Sequence, residues 1–163
     1  MNDPAGNLLV IQPKDVSNDG VLKTEQLYRV GQPSKTLLNK GDVLLINRGR
    51  FTAMVFDEPV KESCVATSAF LVLTPKKPSQ LLPEYLALYF NSTEGQNIFK
   101  RLNEKTTIPF ISRTNLETVE IPLPSLERQR DLAQLGALTQ RYATLSTHKL
   151  KLQTRILDHA LSN

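Results

Sequence analysis

The sequence is poor in the residues that disulfide-bonded and membrane proteins use. It has a single cysteine, Cys64, so no disulfide can form within the chain and nothing indicates an oxidising compartment. No apolar run approaches the roughly 18 residues that a membrane-spanning helix requires, and the N-terminus has no charged-then-apolar signal pattern. The sequence therefore predicts a cytoplasmic protein that does not enter a membrane.

The sequence also lacks the short motifs that carry catalytic or cofactor chemistry. It contains no P-loop and no Gly-x-Gly-x-x-Gly pattern. The two histidines, His148 and His159, stand at no standard metal-site spacing from Cys64. Glu58 and Lys61 resemble a nuclease Glu-x-Lys pair but are one residue too far apart, and no carboxylate cluster supports a minimal nuclease. We expect no catalytic residue, no metal and no cofactor, exposed histidines, and an inert buried thiol at Cys64 rather than a reactive one.

What the chain does have is enough apolar sequence for one domain plus an appendage. It contains 163 residues, of which 40% are hydrophobic, and only 7 glycines, which is not the composition of a disordered chain. The formal net charge of +4 favours a polyanionic partner, although many ordinary domains carry a similar charge.

Strand signals come first along the chain and helical signals follow. Apolar runs bounded by turn residues predict strands at 8–11, 43–46, 51–56 and 65–73. Pro83 begins a predicted helix over 83–90, and Ser92 caps a second one that ends near Leu102. Residues 108–111 and 119–121 are expected to be short extended segments. The predicted class is α/β (α+β), with a mostly antiparallel curved sheet and short helices.

A long helix is predicted from Ser125, the expected N-cap, to Leu161, because this stretch has no proline and only one glycine, Gly136. At about 37 residues and roughly 1.5 Å per residue it would extend about 55 Å, longer than a small domain is wide. Apolar residues follow a heptad seam interrupted by a lysine that would fix register or partner number. The predicted coiled-coil interface with a partner helix is Leu135, Leu138, Tyr142, Leu145, Lys149, Leu152 and Ile156. The alternatives are a helix folded back on its own sheet, or one broken near Gly136.

We therefore divide the chain into a globular domain at 1–124 and a helix at 125–163. Within the globular part, basic residues cluster in three stretches, Lys35 to Arg50, Lys76 with Lys77, and Lys100 to Arg113. Hydroxyl and amide side chains suited to phosphates and base edges accompany the last stretch, so residues 105–115 are the predicted DNA-facing loop. The alternative is a solvated loop. The candidate DNA contacts are Lys40, Arg48, Arg50, Lys76, Lys77, Lys105, Thr106, Thr107, Ser112 and Arg113.

Four motifs in order resemble the specificity subunits of type I restriction–modification systems. Residues 40–45, Lys-Gly-Asp-Val-Leu-Leu, are similar to the Gly-Asp entry of their target-recognition domains, and residues 83–92 to their helix with a Tyr-Leu pair before a serine. Residues 107–124 are similar to their I-P-x-I … L … I-P-L-P-P pattern, with Ser125 replacing the last proline. Glu127-Arg128-Gln129 follows the terminal E-Q, with Arg128 inserted, and the long helix comes after it. The resemblance covers roughly residues 7–163.

The resemblance implies a non-catalytic subunit that recognises DNA. In that family a globular domain reads one half of a split DNA sequence, and long helices set the spacing and dock the methyltransferase subunits. One recognition domain and one helix resemble half of such a subunit, which would pair with a second copy and read a palindromic, bipartite target. The implied partners are double-stranded DNA, the methyltransferase subunit, which would flip the target base, and the restriction subunit.

The family's usual N-terminal segment, with a tryptophan and a first strand, has no counterpart before Leu8. This difference favours an alternative function. In that alternative, the chain is an adaptor or decoy that occupies a methyltransferase subunit through its helix and does not read DNA.

Overall fold

The computed structural model describes residues 5–25, 27–31, 37–57, 60–103 and 108–162. Over these residues the strands are β1 (Leu8–Ile11), β2 (Tyr28–Val30), β3 (Val43–Ile46), β4 (Ala53–Val55), β5 (Ser63–Ala66) and β6 (Phe70–Leu73). The α-helices are α1 (Pro83–Asn91), α2 (Thr93–Leu102), α3 (Arg113–Glu117) and α4 (Leu126–Leu161), and a short 3-10 turn spans Pro13–Asp15. No described helix combines the length and the hydropathy that crossing a membrane requires.

The strands form two small sheets rather than one. The first has the order β2-β1-β5, in which β1 pairs antiparallel with β2 and parallel with β5. The second has the order β4-β3-β6 and is antiparallel throughout. The predicted class, mixed α and β with mostly antiparallel pairing, short helices and a long C-terminal helix, is confirmed.

The apolar run at 65–73 is two strands, so the expectation of one strand there is wrong. The N–H of Thr67 donates to the Ile11 carbonyl at 3.0 Å, which ends the pairing of β5 with β1. The N–H of Phe70 then donates back to the Thr67 carbonyl at 3.1 Å, which closes a turn. Because the residues of this turn are themselves small or apolar, the sequence pattern shows no interruption where the chain passes from one sheet to the other.

Strand β3 is the centre of the fold because it is buried on both faces. Leu44 and Ile46 belong to a core cluster with residues of the first sheet, whereas Val43 and Leu45 belong to a second cluster with α1 and α2. Side chains of a strand alternate between its faces, so a strand that lies between two layers must be apolar at every position. The uninterrupted run Val-Leu-Leu-Ile follows from this placement.

Helices α1 and α2 are confirmed and meet at Ser92. Its hydroxyl accepts a hydrogen bond from the Gly95 N–H at 3.2 Å, as an N-cap does. Two short elements, β2 and α3, were not predicted. The helix α3 begins at the Ser112 cap within the expected DNA-facing loop, and five residues are too few to show a helical period. Of the expected extended segments, residues 108–111 carry one bridge, Arg48 to Phe110, and residues 119–121 lie outside the strands described.

Helix α4 is continuous, so the alternative of a break near Gly136 is wrong. A Cβ at Gly136 would lie 2.5 Å from Cδ1 of Leu88, which explains the glycine as a point of close approach between α4 and α1. The alternative of a helix folded back over the sheet is also wrong, because α4 packs on α1 near its start and residues 141–162 are exposed.

Candidate nucleic-acid interface

The Gly-Asp motif at the start of β3 is a structural element. The Asp42 side chain is buried, and its carboxylate accepts hydrogen bonds from the Asn39 N–H at 2.8 Å and from the Thr74 hydroxyl at 2.6 Å. Gly41 has a φ of +88°, which a side chain would disfavour. Lys40 projects from this end of β3 and forms an exposed ion pair with Asp57 at 3.0 Å. The motif therefore shapes the entry to β3, and Lys40 lies at the opposite end of the strand from Arg48.

The turn after β3 is joined to the segment before α3. The N–H of Ile111 donates to the Asn47 carbonyl at 2.9 Å, and the N–H of Gly49 donates to the Pro109 carbonyl at 3.0 Å. These bonds bring the first and the last of the three basic stretches together, although they are more than fifty residues apart in sequence. Arg48 and Ser112 consequently lie on neighbouring strands of backbone.

The two arginines of this turn have different surroundings. The guanidinium of Arg48 lies 5.4 Å from the centre of the Phe110 ring, and its N–H groups make no hydrogen bond to the described residues. Arg50 instead donates to the Pro13 carbonyl at 2.7 Å, to the Val16 carbonyl and to the Asn18 side chain. Arg48 is thus exposed, with donors that no described residue uses, and the donors of Arg50 are used inside the chain.

The remaining candidate contacts lie around α3. Arg113 is exposed and pairs with Glu117 one turn later at 2.9 Å. Arg113 and Lys76 line one largely apolar cavity of about 520 Å³ between β6 and α3, and Lys77 follows on the exposed surface. The hydroxyl of Ser112 caps α3 by accepting the Asn115 N–H at 3.0 Å. Lys105, Thr106 and Thr107 lie outside the described residues. We call Arg48, Lys76, Lys77, Ser112 and Arg113 the reading face. Arg48 lies after the end of β3 and Lys76 beside its start, and the segment with Ser112 and Arg113 connects the two.

The joint between the globular domain and α4 is built around Gln129. Its side chain is fully buried, at 0% exposure. Its Oε1 accepts the Leu82 N–H at 2.9 Å, and its Nε2 donates to the carbonyls of Gln80 at 2.7 Å and of Pro124 at 2.9 Å. The sequence contained this residue only as part of the motif that follows Ser125, and no signal showed that it is buried.

A second contact anchors the extended segment that leads into α4. The Tyr85 hydroxyl donates to the Pro122 carbonyl at 2.9 Å. Burial raises the pKa of Tyr85 above its ordinary value, with a smaller contribution from Tyr89, so the phenol remains a neutral donor. The residues matching the family's Tyr-Leu helix and its I-P-L-P segment are therefore in contact.

The predicted seam on α4 is exposed along its length. The apolar members range from 44% exposure at Leu152 to 75% at Tyr142. A second exposed apolar row, which the heptad reading missed, consists of Leu150, Leu157 and Leu161. These rows leave the outer half of α4 with apolar surface on two sides.

None of the groups considered for chemistry belongs to the reading face. Cys64 is buried, at 1% exposure, as predicted, and burial raises the pKa of its thiol to about 11, with a smaller effect from Glu62. His148 and His159 are exposed on α4, also as predicted. Among the described residues, no group of three His, Cys, Asp or Glu side chains could hold a metal ion.

The architecture of this chain also occurs in solved structures of other proteins. Two solved structures each match 90% of this chain but only 39% of their own length. One, from work on complex assembly and conformational transition of the type I R-M system, has 18% identity and a TM-score of 0.71. The other, the HsdS subunit from Thermoanaerobacter tengcongensis, has 19% identity and a TM-score of 0.63. At these identities the likeness shows the fold. No curated protein matches the sequence.

A family model gives the assignment. The model of the type I restriction modification DNA specificity domain matches residues 4–156, nearly the whole chain and both parts of the fold. The chain belongs to the family of type I restriction modification DNA specificity domains.

Proposed function

We propose that this chain reads double-stranded DNA in a sequence-specific way as the recognition part of a type I specificity subunit. The observation that carries the proposal is the pairing of the turn after β3 with the segment before α3. This pairing gathers residues from two distant basic stretches on a rigid scaffold. Rigid positioning of exposed polar groups is what recognition of a base sequence requires.

Arg48 is the residue best suited to contact a base. An arginine with free donors can bind O6 and N7 of guanine with two hydrogen bonds in the major groove, a contact worth about 1–3 kcal/mol of discrimination. The ring of Phe110 holds the guanidinium in place without using its donors. Lys76, Lys77 and Arg113 are proposed as phosphate contacts, which position the protein on the duplex, and Ser112 as a hydrogen-bonding neighbour.

The other candidate contacts have weaker support. Lys40 is paired with Asp57 and does not line the cavity that Lys76 and Arg113 share, and Arg50 already bonds within the chain. Lys105, Thr106 and Thr107 lie outside the described residues and stay predictions. We therefore base the test on the reading face.

We further propose that α4 completes the assembly. Its exposed seam would pair with the seam of a second copy, because burying apolar side chains stabilises association. Two domains on a two-fold axis would read the two halves of a palindromic, bipartite site, with α4 as spacer and as docking element for the methyltransferase subunit and, through it, the restriction subunit. In this assembly the chain itself carries out no catalysis.

A second candidate function is an adaptor or decoy that binds a methyltransferase subunit and never reads DNA. The observation that favours it is the amount of exposed apolar surface on the outer half of α4, residues 141–162, which contributes no residue to the reading face. Both functions use the helix, and only the first uses the reading face.

The deciding experiment selects bound sequences from random DNA with the chain and its methyltransferase subunit, then measures affinity for the selected site. The test variant is Arg48→Glu/Lys76→Glu/Arg113→Glu. The control, Lys14→Glu/Lys23→Glu/Lys61→Glu, makes the same change in net charge at exposed residues outside the reading face and outside α4. Loss of about three contacts, each comparable with a phosphate contact, should weaken DNA binding by a hundredfold or more. It should also reduce the slope of the logarithm of the affinity against the logarithm of the salt concentration by about 3.

Equal losses in the two variants would contradict the assignment of the reading face. Absence of any selected sequence, together with intact binding to the methyltransferase subunit, would instead support the adaptor function.

A further inference from the structure

Helix α4 touches the globular domain at a second place, beyond the joint at Gln129 and the packing of Gly136 against Leu88. The Gln140 side-chain amide donates to the backbone carbonyl of Asp19, and the Thr144 hydroxyl shares its one proton between the Asp19 carboxylate at 3.3 Å and the Gln140 carbonyl at 3.1 Å. Gln140 and Thr144 are four residues apart, so they lie one above the other on the same side of α4. One loop residue thus contacts two successive turns of the helix.

The loop that carries Asp19 is itself fixed to the domain. Arg50 donates to the carbonyls of Pro13 and Val16 and to the side chain of Asn18. On the other side, Gly20 lies so close to β4 that a Cβ there would be 2.7 Å from the Ala53 carbonyl oxygen. Arg50 and β4 hold the loop from two sides. A contact between Asp19 and α4 therefore connects α4 to the sheet.

Side chains rather than a packed core make this second attachment. A cavity of about 480 Å³ lies between the turn after β3 and α4, and Arg50, Asn91 and Gln140 are among the residues that line it. Where a cavity separates two elements, their relative direction depends on the few groups that cross the gap. Beyond the packing of Gly136 on Leu88, the groups that cross this gap among the described residues are Asp19, Gln140 and Thr144, with Arg50 behind the loop.

We propose that Arg50 and Asp19 are positioning residues that set the direction of α4 relative to the reading face, and thereby the separation of the two half-sites in DNA. The proposal rests on the proposed function, because a half-site separation exists only if two copies read DNA. It gives Arg50 a role other than the DNA contact expected from the sequence.

The size of the effect follows from the length of the helix. Ile156 lies 20 residues beyond Gly136, which packs against Leu88 of α1, or about 30 Å along the axis at roughly 1.5 Å per residue. A tilt of about 13° at that contact would move that part of the seam by about 7 Å, which corresponds to roughly two base pairs at about 3.4 Å each. An attachment at Thr144 limits such a tilt because it lies about two turns of helix beyond Gly136.

We call the contacts of Asp19 with Gln140 and Thr144, together with the bonds of Arg50 to the loop, the brace. The brace variant is Gln140→Ala/Thr144→Ala, which removes the side chains of α4 that form it and that lie outside the core. Its matched control is Gln134→Ala/Thr139→Ala on the same helix. The hydroxyls of Thr139 and Thr144 both bond back to carbonyls in α4, at 2.9 Å and 3.1 Å, so the control loses the same residue types and the same internal bond. It keeps both contacts to Asp19.

The first readout is the distance between spin labels at Ser79→Cys, on the domain, and Thr154→Cys, on the outer side of α4. The labelled chain is diluted with unlabelled chain so that each distance comes from one copy, and the buried Cys64 remains in place. The wild type and the control should give one narrow distribution, and the brace variant a distribution at least about twice as wide. Equal widths in all three chains would overturn the proposal.

The second readout is the spacing of half-sites selected from DNA libraries with variable spacers. The wild type and the control should select one spacer length, and the brace variant should accept spacers about two base pairs shorter or longer. A broadened distance distribution with unchanged spacer preference would overturn the claim that the brace sets half-site separation. If no chain selects DNA, the proposed function fails, and the label distances still decide whether the brace exists.

Arg50→Ala tests the inner side of the brace. It should broaden the label distances as the brace variant does, because the loop would lose its three bonds to the guanidinium. A narrow distribution for Arg50→Ala beside a broad one for the brace variant would exclude Arg50 from the positioning role.

Discussion

The backbone N–H of Leu82 donates to Oε1 of Gln129 at 2.9 Å, so one buried side chain ties the start of α1 to the first turn of α4. The amide nitrogen of Gln129 donates in turn to two carbonyls, from Gln80 and from Pro124. A glutamine amide offers one acceptor and two donors, and here the acceptor and the donors are all engaged. The joint between domain and helix is therefore specific to this side chain.

Gln129→Glu should destabilise the protein although its shape hardly changes. The carboxylate has no N–H, so the carbonyls of Gln80 and Pro124 lose their donor, and a charge would be buried. We expect the free energy of unfolding to fall by about 3 kcal/mol in urea titrations near neutral pH. Gln134→Glu, at an exposed position of the same helix, is the control and should change it by less than about 0.5 kcal/mol. Equal losses would show that Gln129 has no special role.

The effect on stability of replacing Gly136 in α4 should depend on whether Leu88 in α1 is present. In an exposed helix, replacing glycine by alanine stabilises by roughly 0.5–1 kcal/mol. At Gly136 the added Cβ would lie 2.5 Å from Cδ1 of Leu88, whose side chain would have to move, so Gly136→Ala should give less than this gain. The gain should reappear when the same change is made in a Leu88→Ala background. Urea unfolding of the four chains measures the coupling, and additive effects would contradict the close approach.

Self-association should depend on the seam of α4 and not on the second apolar row. Leu145→Asp places a charge in the seam and should convert a dimer into a monomer in light scattering. Leu157→Asp makes the same substitution at an equally exposed leucine of the second row and should leave the dimer intact. Loss of the dimer in both variants would place the interface across both rows, and a wild-type monomer would exclude pairing through the helix.

The thiol of Cys64 should resist alkylation until the protein unfolds. With its pKa raised from 9.0 to about 11, the thiol has roughly a hundredfold less thiolate at pH 8, and burial further hinders reagent access. The rates in native protein and in guanidinium should differ by more than that factor, and similar rates would refute the burial.

The same shift has a consequence for stability. A pKa raised on folding contributes stability that is complete below about pH 9 and is lost as the pH rises towards about 11. Urea titrations at several pH values across this interval should show a smaller decline for Cys64→Ala than for the wild type. An identical decline in both chains would mean that this thiol does not titrate differently on folding.

Substitutions of the two arginines in the turn after β3 should have different effects, one on stability and the other on DNA binding. Arg50→Ala leaves the carbonyls of Pro13 and Val16 without their donor and should lower the free energy of unfolding by about 1–3 kcal/mol. Arg48→Ala should leave it within about 0.5 kcal/mol and weaken DNA binding instead. The two variants serve as controls for each other in urea titrations and in affinity measurements on DNA with a single half-site, where the direction of α4 does not enter. A loss of stability in Arg48→Ala and a loss of DNA binding in Arg50→Ala would show that the two roles are assigned to the wrong residues.

The elements with strong local signals could be predicted. Strands β1 and β3 are apolar runs bounded by turn residues, α1 begins with a proline, and Ser92 and Ser125 are caps that accept hydrogen bonds from backbone N–H groups of the helix they begin. These interactions join residues at most four positions apart, so the sequence contains all of their partners. Strand β2 and α3 were missed because three and five residues are too few to show a period.

The candidate site was only partly accessible from the sequence. The basic stretches and the heptad seam are visible as residue types at given spacings. That Arg48 keeps free donors while Arg50 bonds to a loop more than thirty residues away is not visible, because the two have the same chemistry and nearly the same position. Their difference arises from what the folded chain places beside each of them.

By itself the sequence determined the family, the mixed α and β class, the seam and the long helix, since these depend on local pairings and on the order of motifs. Tertiary structure alone decided that β1 pairs with β5 in parallel, that Gln129 is buried in the joint, and that Asp19 reaches Gln140 across 121 positions. Such contacts depend on where the core brings distant segments together. The buried sheets set that placement, and the type of a residue does not identify the distant residue that it contacts.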